Sequence, residues 1–188
     1  MRAARLAANH AARMKRLSIF ACSLAVAFSI YAEDAATFAV SAFHFTRPTG
    51  WKQVEPSSPM RKAQLQVPGK DGGKPADVTF FFFGTGQGGD VQANVQRWLG
   101  QVNGGADTQK VEPQEFNGVK VTLVSTEGTL KASPMGGVPE DAPNSALLGA
   151  ILEHEDGAVF IKMTGPAELV KGNREQFVSL VKSATEKK

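Results

Sequence analysis

The sequence predicts an α+β fold: a largely antiparallel β-sheet sandwiched by helices, in the order βββ-α-ββ-loop-ββ-α. Three observations predict it. Short segments of alternating apolar and polar residues are joined by turn-forming pairs, and strands joined by short turns must run antiparallel. The run "DVTFFFF" (77–83) is apolar on both faces, so the sheet needs cover on both sides there. Two segments carry a helical stripe instead of an alternation, one in mid-chain and one at the end.

A leader comes first. "MKRLSIFACSLAVAFSIYAED" has the parts of a secretory signal peptide: a positive start at Lys15 and Arg16, an uncharged apolar stretch from Leu17 to Ile30, and the small Ala32 at the cleavage position. The apolar stretch is shorter than the ~20 residues that cross a bilayer, so no stable membrane span is expected after cleavage. Residues 1–32 are read as the signal peptide and 33–188 as a single globular domain, exported to the periplasm or beyond. The basic, alanine-rich residues 1–13 precede a normal signal start, which makes Met14 the expected true start. Cys22 is the only cysteine, and it lies in the leader. Ile19 and Ala21 sit at lipobox places, but Phe20 fits poorly and few apolar residues precede it, so lipidation at Cys22 is not adopted. A mature domain without thiols suits an oxidising compartment.

The leader also carries much of the charge. The chain of 188 residues has a formal charge of +3, yet 33–188 holds 16 basic and 18 acidic side chains. A weakly acidic domain without Lys/Arg runs has no electrostatic footprint for nucleic acid, and none is expected as a partner.

The strands follow. "FAVSAFHFT" (38–46) reads as one strand with Phe43 and Phe45 on one face and His44 on the other. "RPTGW" is a turn that presents Trp51. In "MRKAQLQV" (60–67), Ala63, Leu65 and Val67 point one way and Lys62, Gln64 and Gln66 the other. The polar "PGKDGGKPAD" turns the chain into 77–83. After "GTGQGG", Asp90 stands at an N-cap position, and Val91, Val95, Trp98, Leu99 and Val102 form one helical stripe ended by "NGG" (103–105). Asn117-Gly118 marks a type I′ hairpin between "TQKVEPQEF" and "VKVTLVSTEGTL". Residues 131–145 form a long irregular loop. "ALLGAILEHEDGAVFIKMT" is a second hairpin turning at Asp156-Gly157. The terminal helix begins at Pro166, breaks at Gly172 and restarts at Asn173, with Gln176 three residues on in a capping-box pattern. Phe177, Leu180, Val181 and Ala184 are its buried stripe.

The opening "FHFTRPTGW" resembles the F-x-x-x-x-P-x-G-W start of PsbP-like domains, the fold of the extrinsic photosystem II subunit and of bacterial periplasmic DcrB-like proteins. The helix after the third strand, the late hairpin and the closing helix with Phe177, Leu180 and Ser183 are similar in order, so the resemblance covers most of 38–184. It implies an α-β-α sandwich around an antiparallel sheet, among members that are mostly accessory or binding proteins. It supplies no active-site motif, and neither "GTGQGG" nor 131–145 maps onto it.

Candidate chemistry is sparse. Gly84, Gly86 and Gly89 fit the G-x-G-x-x-G dinucleotide fingerprint, which works only in a parallel βαβ unit. Here the next strand enters a hairpin at Asn117-Gly118, and the Asp90 carboxylate repels an anion at the helix start. The loop is therefore expected to serve as a tight exit from a covered strand, and no cofactor is expected. "EHED" (153–156) offers one histidine with local carboxylates, a poor donor set, and no metal is expected. No nucleophile motif is present, so no catalytic residues are named. The residues kept as ligand-binding candidates are Gly84, Gly86, Gln87 and Gly89 in the loop, Trp51 after its turn, and Arg97 beside Trp98. The long 131–145 loop is either a binding segment or a tether. The resulting expectation is an exported, non-enzymatic accessory or binding domain of the bacterial cell envelope, whose partner is an unidentified protein or envelope component. The alternative is a small-ligand-binding or hydrolytic periplasmic protein with its site at Gly84–Asp90.

Overall fold

A computed structural model describes residues 36–133 and 138–186. The leader, the Met14 start, Cys22 and positions 134–137 of the long loop lie outside these described residues. Before the first helix come five strands where three are expected: β1 (Thr37–Val40), β2 (Phe43–Thr46), β3 (Lys52–Val54), β4 (Arg61–Val67) and β5 (Ala76–Phe82). The segment read as one strand over 38–46 is a hairpin. Ser41 takes φ 54 and folds β2 back antiparallel on β1. The side-chain parity is as expected, with Phe43 and Phe45 buried and His44 exposed.

Helix α1 (Val91–Leu99) follows, capped by Asp90, whose carboxylate accepts the Ala93 N–H. The helix ends three residues earlier than its stripe implies. Val102 opens β6 (Val102–Asn103), paired with Leu130, and is buried there. Next come β7 (Lys110–Phe116) and β8 (Val119–Leu130), joined through Asn117 and Gly118, both with positive φ as a type I′ turn demands. The β9 strand (Ala142–Leu152) starts inside the expected loop, because Ala142 to Ser145 already pair with the end of β8. The loop ends are drawn together by a bridge between Ser133 and Val138 and by Asp141, which accepts the Ala132 N–H at 2.7 Å. β10 (Val159–Pro166), α2 (Ala167–Gly172) and α3 (Arg174–Ser183) complete the chain.

The main sheet has eight strands in the order β3-β4-β5-β10-β9-β8-β6, with β7 also paired to β8. Every pairing within it is antiparallel. Because side chains alternate, β9 serves both layers. Ala146, Leu148, Ala150 and Leu152 pack with Val170, Phe177, Leu180 and Val181 of α2 and α3. Leu147 and Ile151 pack on the other side with Val95, Trp98 and Leu99 of α1. A Cβ on Gly149 would lie 2.4 Å from the Trp98 ring, so the indole fills the place a side chain would take.

The α2/α3 face is closed further by the β1–β2 hairpin. Phe38 and Phe45 sit 5.1 and 5.2 Å from Phe80, centroid to centroid, and the Thr46 N–H donates to Ser183 Oγ at 2.9 Å. The α1 face is covered only in part. Phe80 is fully buried, Phe81 is half-buried, and Phe83, just past β5, is 38% exposed. The expectation of cover on both faces at 77–83 thus holds for Val78 and Phe80 on one side, where Phe82 is half-buried, and only in part on the other.

The Asn173–Gln176 capping box does not form. Asn173 makes no side-chain cap; its Oδ1 and the Gln176 Oε1 both accept from the Trp51 indole N–H, at 3.2 and 3.1 Å. Among the described residues, no helix is long and apolar enough to cross a membrane.

Candidate functional site

The uncovered part of the α1 face has a definite chemistry. Register puts cross-strand partners on the same side of a sheet. Gln64 of β4 faces Thr79 of β5, which faces Lys162 of β10, which faces Gly149 of β9. The next row runs Gln66, Asp77, Thr164, Leu147. On the β9 end of these rows sits α1. On the β4 end, side chains that alternation alone would call solvent-facing line a cleft of about 240 Å³, with Val138 from the long loop on its wall.

Lys162 lines the cleft. Trp98 seats α1 directly over Gly149, so the lysine beside Gly149 emerges along the helix flank. Its ammonium donates to Gln101 Oε1 at 3.0 Å, just past the helix end. Among the described residues, that amide is its only hydrogen-bond partner, and no carboxylate lies within ion-pair distance. Burial, with smaller contributions from the like charges of Arg61 and Arg97, pushes its pKa down to about 8. Desolvated ionisable groups in clefts mark candidate functional sites.

The rest of the cleft is an amide network. Gln64, 6% exposed, accepts from the Ser57 N–H at 3.1 Å and from Arg61 at 2.9 Å, and its Nε2 donates to Asp77 Oδ1 at 3.2 Å. Gln66 donates to the same oxygen at 3.1 Å. The Thr79 hydroxyl donates to the Lys162 carbonyl at 3.2 Å. Asp77 is therefore held by neutral amides, while the Lys162 ammonium has no carboxylate within ion-pair distance among the described residues. Such an arrangement can receive an anion.

A larger groove of about 620 Å³ lies between β7–β8 and α2–α3, with Ala146, Leu148 and Val170 in its lining. The cations that its helices contribute are already matched. Arg174 pairs with Glu112, and Lys171 bridges Glu127 at 3.2 Å and Glu168 at 2.9 Å. Those bonds hold the Lys171 ammonium above its ordinary pKa and the Glu168 carboxyl below its own.

The residues singled out from the sequence fall in different places. Gly84, Gly86 and Gly89 take positive φ (91, 68 and 80), as does Gly88 (86), in the turn from β5 to α1. This loop packs on the β9–β10 turn. The Thr85 hydroxyl donates to the Asp156 carbonyl at 3.0 Å, and a Cβ on Gly157 would strike the Gly84 carbonyl at 2.6 Å. Gln87 is exposed. None of these residues lines either cleft. The β5-loop-α1 unit does not lead to a parallel neighbour: β5 lies between β4 and β10, both antiparallel, and β6 pairs with β8 at the far edge. Trp51, kept as a ligand-binding candidate, lies in the core. It is 2% exposed, because its ring closes the core and its N–H is taken by Asn173 and Gln176. Arg97 is exposed, bonded to Asn94 Oδ1, and its charge reaches Lys162. In "EHED", His154 sits 3.5 Å from Asp156 and edge-on to Phe43. Among the described residues, no group of three or more His, Cys, Asp or Glu is placed to hold a metal.

Sequence reading missed Lys162, Gln64 and Arg61. The available signal was parity in "VFIKMT". Val159, Ile161 and Met163 share one face, so Lys162 falls on the side of Phe160, which is itself 3% exposed.

No family model and no curated protein matches the sequence. Solved structures do match. Cyanobacterial PsbP (CyanoP) from Synechocystis sp. PCC 6803 superposes with a TM-score of 0.52 at 12% identity, over 79% of this chain and 89% of that one. The Pseudomonas aeruginosa protein of unknown function PA94 gives a TM-score of 0.46 at 10% identity, over 81% of this chain and 97% of that one. At these identities the likeness concerns architecture alone: in its α+β, largely antiparallel fold the chain resembles PsbP-like domains.

Proposed function

We propose that this chain is an exported accessory or binding domain that docks an acidic partner in the cell envelope through the open part of its α1 face. One observation carries the reading: a lysine set into a half-covered sheet, near two arginines, without a carboxylate beside it. A buried cation that lacks a counter-charge costs stability, and such residues are tolerated where function requires them. The fold likeness to CyanoP supports an accessory role, by analogy of fold only. Export rests on the leader pattern of residues 1–32.

A photo-crosslinking amino acid at Gln66, on the cleft rim, tests this in the native cell against the same label at Glu115 on β7. The reading expects a discrete adduct from position 66, lost in a Lys162→Glu background and absent from position 115. Equal labelling from both positions, or an adduct indifferent to Lys162→Glu, contradicts it.

A further inference from the structure

Resting on that reading, we infer that the cleft is an oxyanion site whose occupant is the carboxylate of a glutamate side chain presented by the partner protein. Charge selects the anion. Lys162 of β10, Arg61 of β4 and Arg97 of α1 bring positive charge toward one small volume. Asp77 of β5, the acidic group on the same wall, has Oδ1 committed to Gln64 and Gln66. An incoming carboxylate supplies the counter-charge that the Lys162 ammonium lacks and offsets its desolvation.

Size selects the source. About 240 Å³ is below the usual range for a whole small-molecule ligand, yet it accommodates one inserted side chain. The walls fit a glutamate in particular. Phe81 and Val138 offer apolar surface to its methylenes, while the Lys162 ammonium, which also lines the cleft, meets the carboxylate. Phe83, 38% exposed and stacked on Phe81 at 6.3 Å, extends this apolar rim toward a macromolecular surface.

Binding is coupled to a proton. The free amine titrates at about 8, and only the ammonium attracts a carboxylate. Affinity is therefore full below pH 8 and falls as pH rises through it, by about tenfold or more at 1.5 units above.

The test is NMR of the purified protein carrying 13C-labelled lysine, titrated with hexaglutamate, hexaglutamine, acetate and inorganic phosphate. The inference expects hexaglutamate to shift the Lys162 Cε signal and raise its pKa by a unit or more. Hexaglutamine is expected to do neither, and acetate to act weakly in the same direction. Affinity for hexaglutamate should fall at least tenfold in Lys162→Met and stay unchanged in Lys171→Met, which alters the other groove. Arg97→Gln, an exposed change that leaves the core intact, should raise the free Lys162 pKa. No response of Lys162 to any carboxylate, or binding unchanged in Lys162→Met, overturns the inference. Phosphate acting more strongly than hexaglutamate at equal concentration overturns the glutamate assignment. If the Lys162 response holds while crosslinking shows no preference for the cleft side, the oxyanion site stands and the envelope-docking reading fails.

Discussion

The two faces of the main sheet are built from the same strands and have opposite character. The α2/α3 face is closed over its centre: two helices and the β1–β2 hairpin cover it, Phe45, Phe80 and Phe177 are fully buried there, and the groove that remains against β7–β8 holds the paired Arg174 and Lys171. The α1 face is closed over β8–β9 and Phe160 but left open over β4, β5 and the adjoining part of β10, where glutamines, a threonine and Lys162 replace the apolar residues. One helix is too narrow to cover the wide sheet. The sequence matches this by changing chemistry along the rows, from Leu147 to Gln66 and from Gly149 to Gln64. Stability is concentrated on one side, which leaves the uncovered portion of the other to carry a polar cleft.

The largest expected effect comes from the closed face. Phe177→Ala removes a fully buried ring and should cost about 3–5 kcal/mol in denaturant unfolding. A loss below about 1 kcal/mol would mean that α3 is not part of the core. Next comes the covered part of the other face. Gly149→Ala forces a methyl into the Trp98 ring and should cost about 1–3 kcal/mol, with a shifted tryptophan fluorescence maximum; an unperturbed variant would remove α1 from that position. Trp51→Phe keeps most of the apolar volume but strands the Asn173 and Gln176 oxygens. A loss of about 1–2 kcal/mol is expected by the same measurement.

The open part should respond with the opposite sign. Lys162→Met removes a desolvated charge and should stabilise by about 1 kcal/mol at pH 7. Because the folded-state pKa is depressed, the wild type carries this cost in full below pH 8 and loses it as pH rises toward 10.5, the ordinary value. The gap in stability between variant and wild type should therefore close over that interval. A gap independent of pH would assign the effect to packing instead of charge.

Much of this architecture is legible in the sequence because local chemistry sets it. Asn117-Gly118 fixes a hairpin, Asp90 caps a helix, and the stripe through Val95 and Trp98 marks the face that packs. The Ser41 turn was not legible, since no Gly, Pro or Asn punctuates it. Val102 satisfies both a helical period and a strand start, and only its pairing with Leu130 decides between them. Asn173 and Gln176 have capping-box spacing, but a tryptophan more than a hundred residues away competes for both side chains. The cleft was least legible for the same reason. Gln64, Asp77 and Lys162 are distant in the chain, and each alone reads as an ordinary outward residue of an alternating strand. Their meeting depends on the β4-β5-β10 order, which follows from a non-local closure of the sheet. The glycine loop is the converse case. Its pattern was conspicuous locally, while in the fold it turns a covered strand into α1 against the β9–β10 turn.

The most direct measurement is the titration of the Lys162 amine itself, followed through its Cε resonance in the purified protein and assigned by its loss in Lys162→Met. A partly desolvated amine facing Arg61 and Arg97 without a carboxylate should titrate near pH 8. A midpoint at the ordinary 10.5 would mean that the amine is solvated or already paired, and would contradict the open cationic cleft on which the functional reading depends.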